Sequence, residues 1–223
     1  MSHELRTPLA LQRVFLDMLK LGRADRVEDR AWAVQSLDRE TSRLTHLVEK
    51  VLRFAQFERG KLKVDPTPVD LAEEVAGILA GYRPLLASED TTLVLDARDR
   101  DLVTAVDPEG FRHVLCNLLE NAVKYGPRGQ TVRVSLWRDG ETVVIAVDDQ
   151  GPGVPPRDRR RIWAPFERGD AAQLSGKGGS GIGLSVVRDI VDLHQGSVTV
   201  EDAPDGGARF RVILPALGTA NAT

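Results

Sequence analysis

The sequence has very little cysteine, because Cys116 is the only one among 223 residues. A single cysteine cannot form a disulfide within the chain, which excludes a disulfide-stapled secreted domain and favours a reducing compartment. The longest apolar runs, such as Val143–Val147, fall far short of the roughly 18 residues that a membrane-spanning helix needs. No signal-peptide pattern precedes the first charged residues. We therefore expect these residues to be soluble and cytoplasmic.

The chain also lacks an excess of charge of either sign, because 30 basic and 33 acidic side chains leave a net charge of −3. Nucleic-acid-binding domains carry a clear basic excess, so this balance predicts no nucleic-acid partner. Apolar residues make up 42% and charged residues 28% of the chain. That composition excludes a disordered or fibrous chain, and the length allows one or two globular domains.

Proline and glycine are nearly absent from residues 1–59, which contain one of each. Apolar residues repeat there at helical spacing in two stretches, separated by a turn at residues 22–26. This pattern predicts a helical hairpin with arms of about 20 and 30 residues. Two helices alone form a thin core, whereas two hairpins in a four-helix bundle would bury both apolar stripes, so we expect a homodimer.

Beyond residue 60 the sequence changes to short helices and strands, with residues 64–68 forming a linker or an edge strand. Helices are predicted at Leu71–Leu86, Phe111–Tyr125 and Ile182–Leu193. Strands are predicted at Thr91–Leu95, Thr131–Trp137, Thr142–Val147, Ser197–Val200 and Ala208–Leu214. Helices and strands intermix without strict alternation, which predicts a mixed sheet with helices on one face.

The first candidate for chemistry is the string Ser2–Leu9. His3 and Thr7 lie four residues apart and share a helix face. Glu4 is next to His3, and a carboxylate beside an imidazole can orient the ring and accept its proton, which leaves the other ring nitrogen nucleophilic. Taken alone, the string also fits an ordinary surface histidine near the start of a helix.

The second candidate is a polar stripe of Asn117, Asn121 and Lys124 on an otherwise apolar helix. An asparagine oxygen can ligate Mg²⁺, which binds few protein groups together with substrate phosphates. Lys124 could meet a phosphate as a point charge, and Tyr125 could stack on a base. The alternative is the ordinary wet face of a helix.

Two glycine-rich strings complete the set. Asp149 opens the first, where a carboxylate could accept from the amino group of a base and glycines permit a close approach. The second, residues 176–184, opens a helix, and free backbone amides at a helix N-terminus favour phosphate. It matches neither a P-loop nor a dinucleotide fingerprint. An ordinary turn and a flexible linker are the alternatives.

In their order and spacing, these strings resemble the catalytic core of two-component sensor histidine kinases over nearly the whole chain. Residues 2–9 resemble the phosphoacceptor box and Asn117–Tyr125 the N box. Asp149–Gly153 and Gly179–Gly183 resemble the two glycine boxes, and Ala164–Arg168 resembles the F box.

The resemblance implies an α+β fold with an N-terminal helical hairpin, residues 1–60, that forms a dimeric four-helix bundle. A linker at 61–69 would follow. Residues 70–218 would form an ATP-binding α/β sandwich of the histidine kinase, gyrase and chaperone type, the Bergerat fold, and 219–223 a tail. A phosphoacceptor helix should continue upstream of His3. We therefore expect a fragment, or an unusually short form, of a longer sensor whose membrane segment has been removed.

The resemblance further implies ATP and Mg²⁺ as cofactors, autophosphorylation of His3, and transfer of the phosphoryl group to an aspartate of a response regulator receiver domain. It also allows a phosphatase reaction on that regulator through Thr7. The alternatives are a nucleotide-binding signalling scaffold and a plain ATPase of the same fold. Related ATP-hydrolysing families place a water-activating glutamate where this chain has Asn117, which argues for transfer to histidine.

The implied site roles fall into three groups. Glu4 would orient or deprotonate His3, Thr7 would position a water, and Arg168 would assist phosphoryl transfer. Asn121 would hold Mg²⁺. Residues 165–181 would form a lid over the nucleotide, whose contacts would be Asn117, Lys124, Tyr125, Asp149, Gly151, Gly153, Phe166, Gly179, Ser180, Gly181, Ile182, Gly183 and Leu184.

Overall fold

A computed structural model describes residues 2–21, 26, 29–37, 41, 64–87, 90–99, 102–167, 169 and 181–217. The chain divides into two compact units. The first comprises Met1–Leu62 with Gly178–Ser180, and the second comprises Lys63–Lys177 with Gly181–Thr223. Within the described ranges, no helix has the length and apolar content to cross a membrane.

The first unit is mostly helical where it is described. Helix α1 spans Ser2–Lys20 without a break at the one proline in its sequence, and residues 29–37 are also helical. The two stretches touch, because the rings of Phe15 and Trp32 meet edge to face at 5.2 Å between centroids. The predicted continuation of the second helix to residue 59 lies outside the described residues, apart from residue 41.

Large apolar side chains remain exposed on both helical stretches of the first unit, among them Leu9, Val14, Leu16, Trp32 and Val34. Exposed apolar stripes on a two-helix unit are what a second hairpin would cover in a four-helix bundle. The predicted dimer would bury this surface.

The second unit is built on a five-stranded mixed sheet with the order β2-β4-β5-β7-β6. Strand β2 (Thr92–Ala97) runs parallel to β4 (Thr131–Asp139), and the other pairs are antiparallel. They involve β5 (Thr142–Asp148), β6 (Ser197–Asp202) and β7 (Ala208–Pro215). The mixed sheet and the α+β class are confirmed.

A second, two-stranded sheet pairs β1 (Thr67–Asp70) with β3 (Val103–Val106) in antiparallel register. The end of the predicted linker is therefore a strand. Pro68 is tolerated there because β1 has a single partner strand and needs no donor on its other edge. The sequence analysis missed β3, which is only four residues long and too short for a clear alternation.

In the part of the second unit that the structure describes, three α-helices accompany the five-stranded sheet: α2 (Leu71–Ala87), α3 (Pro108–Tyr125) and α4 (Gly183–Leu193). Helix α3 begins sharply because the Asp107 side chain accepts from the backbone N–H of Gly110 at 2.7 Å and Pro108 occupies the first turn. Helix α3 packs against both α2 and α4. Its fully buried face comprises Phe111, Val114, Leu115, Leu118, Leu119 and Ala122.

Candidate active site

Helices α3 and α4 meet at the first residue of α4. The Asn117 side chain is buried, and its Nδ2 donates to the carbonyl oxygen of His113 at 2.8 Å. Its Oδ1 faces the start of α4, because a Cβ on Gly183 would come within 3.0 Å of that oxygen. The fold thus brings the polar stripe of α3 against the end of the second glycine string. Asn121, one turn further along α3, is half-buried.

Asp149 follows β5 directly and is only 5% exposed. Its Oδ1 accepts from the backbone N–H groups of Gly151 at 2.8 Å and Ala208 at 3.0 Å. Both hydrogen bonds from the described part of the chain end on Oδ1, so Oδ2 keeps its lone pairs for a further donor. The pKa of Asp149 is raised overall. Burial is the largest cause and the charge of Asp148 adds to it, while the two N–H donors lower the pKa by less.

Three glycines allow the backbone segments around Asp149 to approach one another. A Cβ on Gly151 would lie 3.1 Å from the carbonyl oxygen of Tyr125, and a Cβ on Gly153 would lie 3.2 Å from that of Gly207. Gly207 itself has a φ of +91° and would place a Cβ directly on the carbonyl oxygen of Asp149. Gly151 and Gly153 are predicted as site residues from the sequence. Gly207 is not, although the string Asp205–Gly207 signals a tight turn.

A buried glutamine links α3 to the turn after Asp149, and the sequence analysis missed it. Gln130 is 1% exposed; its Nε2 donates to the carbonyl oxygen of Ala122 at 2.8 Å, and its Oε1 accepts from the backbone N–H of Gln150 at 3.2 Å. Gln150 in turn accepts from the backbone N–H of Thr131 at 2.9 Å. No local pattern distinguishes such a residue from a surface glutamine before the fold is known.

Lys124 and Tyr125 end α3 beside the turn that contains Gly151. The Lys124 Nζ lies 5.1 Å from the centroid of the Tyr125 ring, a cation–π distance. Both side chains are half-buried. They place one positive group and one aromatic ring at the C-terminal end of α3, the helix that also carries Asn121.

The two ends of the predicted lid are joined to each other. The backbone N–H of Phe166 donates to the carbonyl oxygen of Gly181 at 3.0 Å, and both residues have a positive φ, +64° and +69°. The Phe166 ring is 51% exposed. Of the remaining predicted residues in this region, Arg168, Gly179 and Ser180 lie outside the described residues. Ile182 is fully buried and Leu184 half-buried.

The predicted phosphoacceptor residues lie in the other unit. His3, Glu4 and Thr7 belong to α1, and His3 and Thr7 are one helical turn apart. For these three residues the structure describes only their place in the helix.

The described residues fit an adenine nucleotide and a magnesium ion. The Oδ2 of Asp149, on a residue that is only 5% exposed, can accept from an exocyclic amino group. The described residues include no group of three or more histidines, cysteines and carboxylates that could hold a metal ion. Mg²⁺ needs no such group when substrate phosphates and water supply most of its ligands, and Asn121 offers an amide oxygen.

Comparison with known families agrees with this geometry. Residues 106–218 match the family model described as "Histidine kinase-, DNA gyrase B-, and HSP90-like ATPase". Residues 1–60 match the "His Kinase A (phospho-acceptor) domain". The chain therefore belongs to the histidine kinase, gyrase and HSP90-like ATPase family. Because the phosphoacceptor domain comes first, the two together form a histidine kinase catalytic core, as the sequence predicted.

Individual relatives point the same way. The chain is 32% identical over 215 residues to the alginate biosynthesis sensor protein KinB of Pseudomonas aeruginosa, covering 96% of this chain and 36% of KinB. It is 32% identical over 216 residues to the sensor-like histidine kinase SenX3 of Mycobacterium tuberculosis, covering 97% of this chain and 52% of SenX3. The chain thus spans about a third to a half of these relatives.

Among solved structures, full-length ShkA in complex with AMPPNP is similar, with a TM-score of 0.70 and 27% identity. The match covers 96% of this chain and 44% of ShkA.

Proposed function

We propose that this chain is the ATP-dependent catalytic core of a sensor histidine kinase, which phosphorylates itself on His3 and passes the phosphoryl group to an aspartate of a response regulator receiver domain. The observation that carries the proposal is the buried Asp149 carboxylate. Its Oδ1 is held by two backbone donors while its Oδ2 keeps its lone pairs. An acceptor fixed in this way favours adenine, which presents an amino group, over guanine, which presents a carbonyl at the same ring position.

The nucleotide contacts would lie along the second half of α3 and on the turn after β5. Tyr125, the last residue of α3, and Asp149 would contact the base. Asn117 and Asn121 in the middle of α3, and Lys124 near its end, would face the phosphates together with the backbone of Gly179–Gly183, Ser180 included. Mg²⁺, held by the amide oxygen of Asn121, would supply charge compensation for the phosphate oxygens.

In the transfer step, a ring nitrogen of His3 attacks the γ-phosphorus, a new N–P bond forms, and the bond to the bridging oxygen breaks so that ADP leaves with the electron pair. Glu4 accepts the proton from the other ring nitrogen. Arg168 compensates charge on the moving phosphoryl group, and residues 165–181 close over the nucleotide. Thr7 would position a water for dephosphorylating the regulator.

We assign residues 1–60 to the dimerising phosphotransfer hairpin and 70–218 to the ATP-binding domain. The exposed apolar side chains of α1 and of residues 29–37 support a homodimer. In this assembly two hairpins form a four-helix bundle that presents His3 on α1.

The decisive experiment incubates the protein with γ-labelled ATP and Mg²⁺. We expect an acid-labile, base-stable label that is lost in His3→Gln and retained in the matched control His46→Gln. Retention of the label in His3→Gln would contradict the assignment of His3. Phosphate release that proceeds equally in His3→Gln would instead favour a plain ATPase, and nucleotide binding without any label would favour a signalling scaffold.

A further inference from the structure

A bidentate ion pair lies directly beside the Asp149 carboxylate. Asp148, the last residue of β5, accepts from Arg209 of β7 through two hydrogen bonds, Nε to Oδ1 and a terminal nitrogen to Oδ2, both 2.7 Å. The two side chains are 11% and 19% exposed. Such a pair is short and fixed in orientation, unlike a flexible surface ion pair.

This pair is part of a row of alternating charges across the sheet. In strand register, Arg133 of β4 stands opposite Asp148, Asp148 opposite Arg209, and Arg209 opposite Glu201 of β6. Opposite charges on directly facing positions attract one another. Asp205 joins the row from the loop before β7, with a carboxylate oxygen 3.9 Å from Arg133.

The row of charges bears on Asp149 because Asp148, a member of the row, is the residue directly before it. Successive side chains of an extended strand point to opposite faces, so the charge row lies on one face while Asp149 points to the other. The charged groups on the elements around Asp149 include those of the row, Lys124 at the end of α3, and the Asp202 carboxylate of β6. Asp202 faces the turn at Gly153 and pairs with Arg159 at 2.6 Å. Asp148 is the nearest of these in sequence.

We propose that Arg209 is a positioning residue for nucleotide recognition: by holding Asp148 in a bidentate pair, it keeps the adjacent Asp149 carboxylate ionised and able to accept from adenine. This inference rests on the proposed function. An uncompensated Asp148 would disfavour a second negative charge beside it, because like charges disfavour ionisation. Burial already raises the pKa of Asp149, so this carboxyl takes up a proton at a higher pH than an exposed aspartate does.

The two halves of the ion pair therefore have opposite effects on Asp149. Arg209→Gln exposes the full charge of Asp148 and raises the pH at which nucleotide affinity is lost on acidification. Asp148→Asn removes that charge, leaves Arg209 positive, and lowers this pH. For charges on neighbouring side chains in a medium between protein and water, each shift is about half a pH unit to one unit. The double variant Asp148→Asn/Arg209→Gln restores the wild-type midpoint.

The test is the affinity of the whole chain for ADP with Mg²⁺, measured by titration calorimetry from pH 8 to pH 5. The ionisations of the ligand are the same for every variant, so differences in midpoint belong to the protein. A purely structural ion pair predicts that both single variants lose stability and shift the midpoint in one direction or not at all. Opposite shifts with recovery in the double variant support the proposal, and same-sign or absent shifts overturn it.

Failure of the proposed function gives a different result. If the wild-type protein binds no adenine nucleotide at pH 8, the kinase assignment fails before the variants are compared. If it binds and Asp149→Asn retains the same acid midpoint, another group causes the loss of affinity, and the role of Arg209 is excluded while nucleotide binding stands.

Discussion

Replacing Gly181 by alanine should disrupt the contact between Phe166 and Gly181, at the two ends of the predicted lid, and weaken nucleotide binding. Gly181 has a φ of +69°, and a Cβ there would lie 2.8 Å from the carbonyl carbon of Phe166 and 2.9 Å from its Cα. The same two residues are joined by the hydrogen bond from the Phe166 N–H to the Gly181 carbonyl oxygen at 3.0 Å. The added methyl group therefore meets backbone, which cannot rotate away as a side chain could.

The expected cost has two parts. A left-handed conformation costs an alanine about 1 kcal/mol more than a glycine. Relieving overlap with fixed backbone adds about 1–3 kcal/mol, the usual range for overpacking. The lid ends can escape this second cost by separating, which also breaks their hydrogen bond, so the loss should fall on lid closure more than on global unfolding.

Gly129 provides a matched control, because its φ is +76° and a Cβ there would meet nothing within 4 Å. Gly129→Ala carries the conformational cost alone. We expect both variants to lower the free energy of unfolding by about 1 kcal/mol. Only Gly181→Ala should weaken the affinity for ADP with Mg²⁺, by about tenfold or more, since 1.4 kcal/mol corresponds to a factor of ten.

Urea unfolding and titration calorimetry on the same preparations measure the two effects. Wild-type affinity in Gly181→Ala would refute the argument that the lid ends must meet for nucleotide to bind. An equal loss of affinity in Gly129→Ala would show that general destabilisation, and not the contact with Phe166, is responsible.

Three further substitutions test other parts of the second unit. Asn121→Ala should abolish the dependence of ADP affinity on Mg²⁺ by calorimetry, and unchanged dependence would exclude Asn121 as a ligand. Burial raises the pKa of Asp189 to about 6, so the folded state binds the extra proton and stability falls as pH rises from about 4 to 6. Asp189→Asn should flatten that slope in urea unfolding and stabilise the protein at pH 7. His194→Ala removes contacts of Nε2 with the Asp107 N–H at 2.8 Å and of Nδ1 with the Ile190 carbonyl oxygen at 2.7 Å. It should cost about 2–3 kcal/mol of unfolding free energy, and His194→Gln, which keeps one acceptor, should cost less.

Much of the second unit could be predicted because its elements have clear periodicity. Helix α3 has a continuous apolar face, and β4 and β5 alternate around a turn at Gly140, whose φ is +61°. Asp149 and Gly151 could be named because a short polar string between regular elements stands out against them. The hydrogen bond from Gly151 to Asp149 spans two residues, a distance at which local sequence is informative.

The residues that the sequence analysis missed act over long separations. Ala208 donates to Asp149 across 59 residues, and Arg209 reaches Asp148 across 61. Both contacts exist because β5 and β7 pair in one register, and a shift of a single residue would move each side chain to the other face of the sheet. The sequence predicts both strands but not their register. Partners across the ladder therefore became visible only in the structure.

The geometry of α3 and α4 explains how distant strings form one site. Asp107 at the start of α3 contacts His194 at the end of α4, and Asn117 faces Gly183 at the start of α4. Ten residues of α3 and eleven of α4 separate these contacts, about 15–17 Å in each helix at 1.5 Å per residue. The helices are therefore antiparallel, and the two contacts are separated by nearly the same length along each helix. Together the contacts hold α3 and α4 in one register along their axes.

Asn121 lies one turn beyond the second of these contacts, past the first residue of α4. Gln130 holds the C-terminal end of α3 against the turn after Asp149. Asn121 is consequently fixed between the start of α4, where backbone amides favour phosphate, and the carboxylate that would bind the base. A nucleotide whose base contacts Asp149 and whose phosphates reach α4 would pass this residue, so the proposed magnesium ligand lies between the two ends of the proposed nucleotide site.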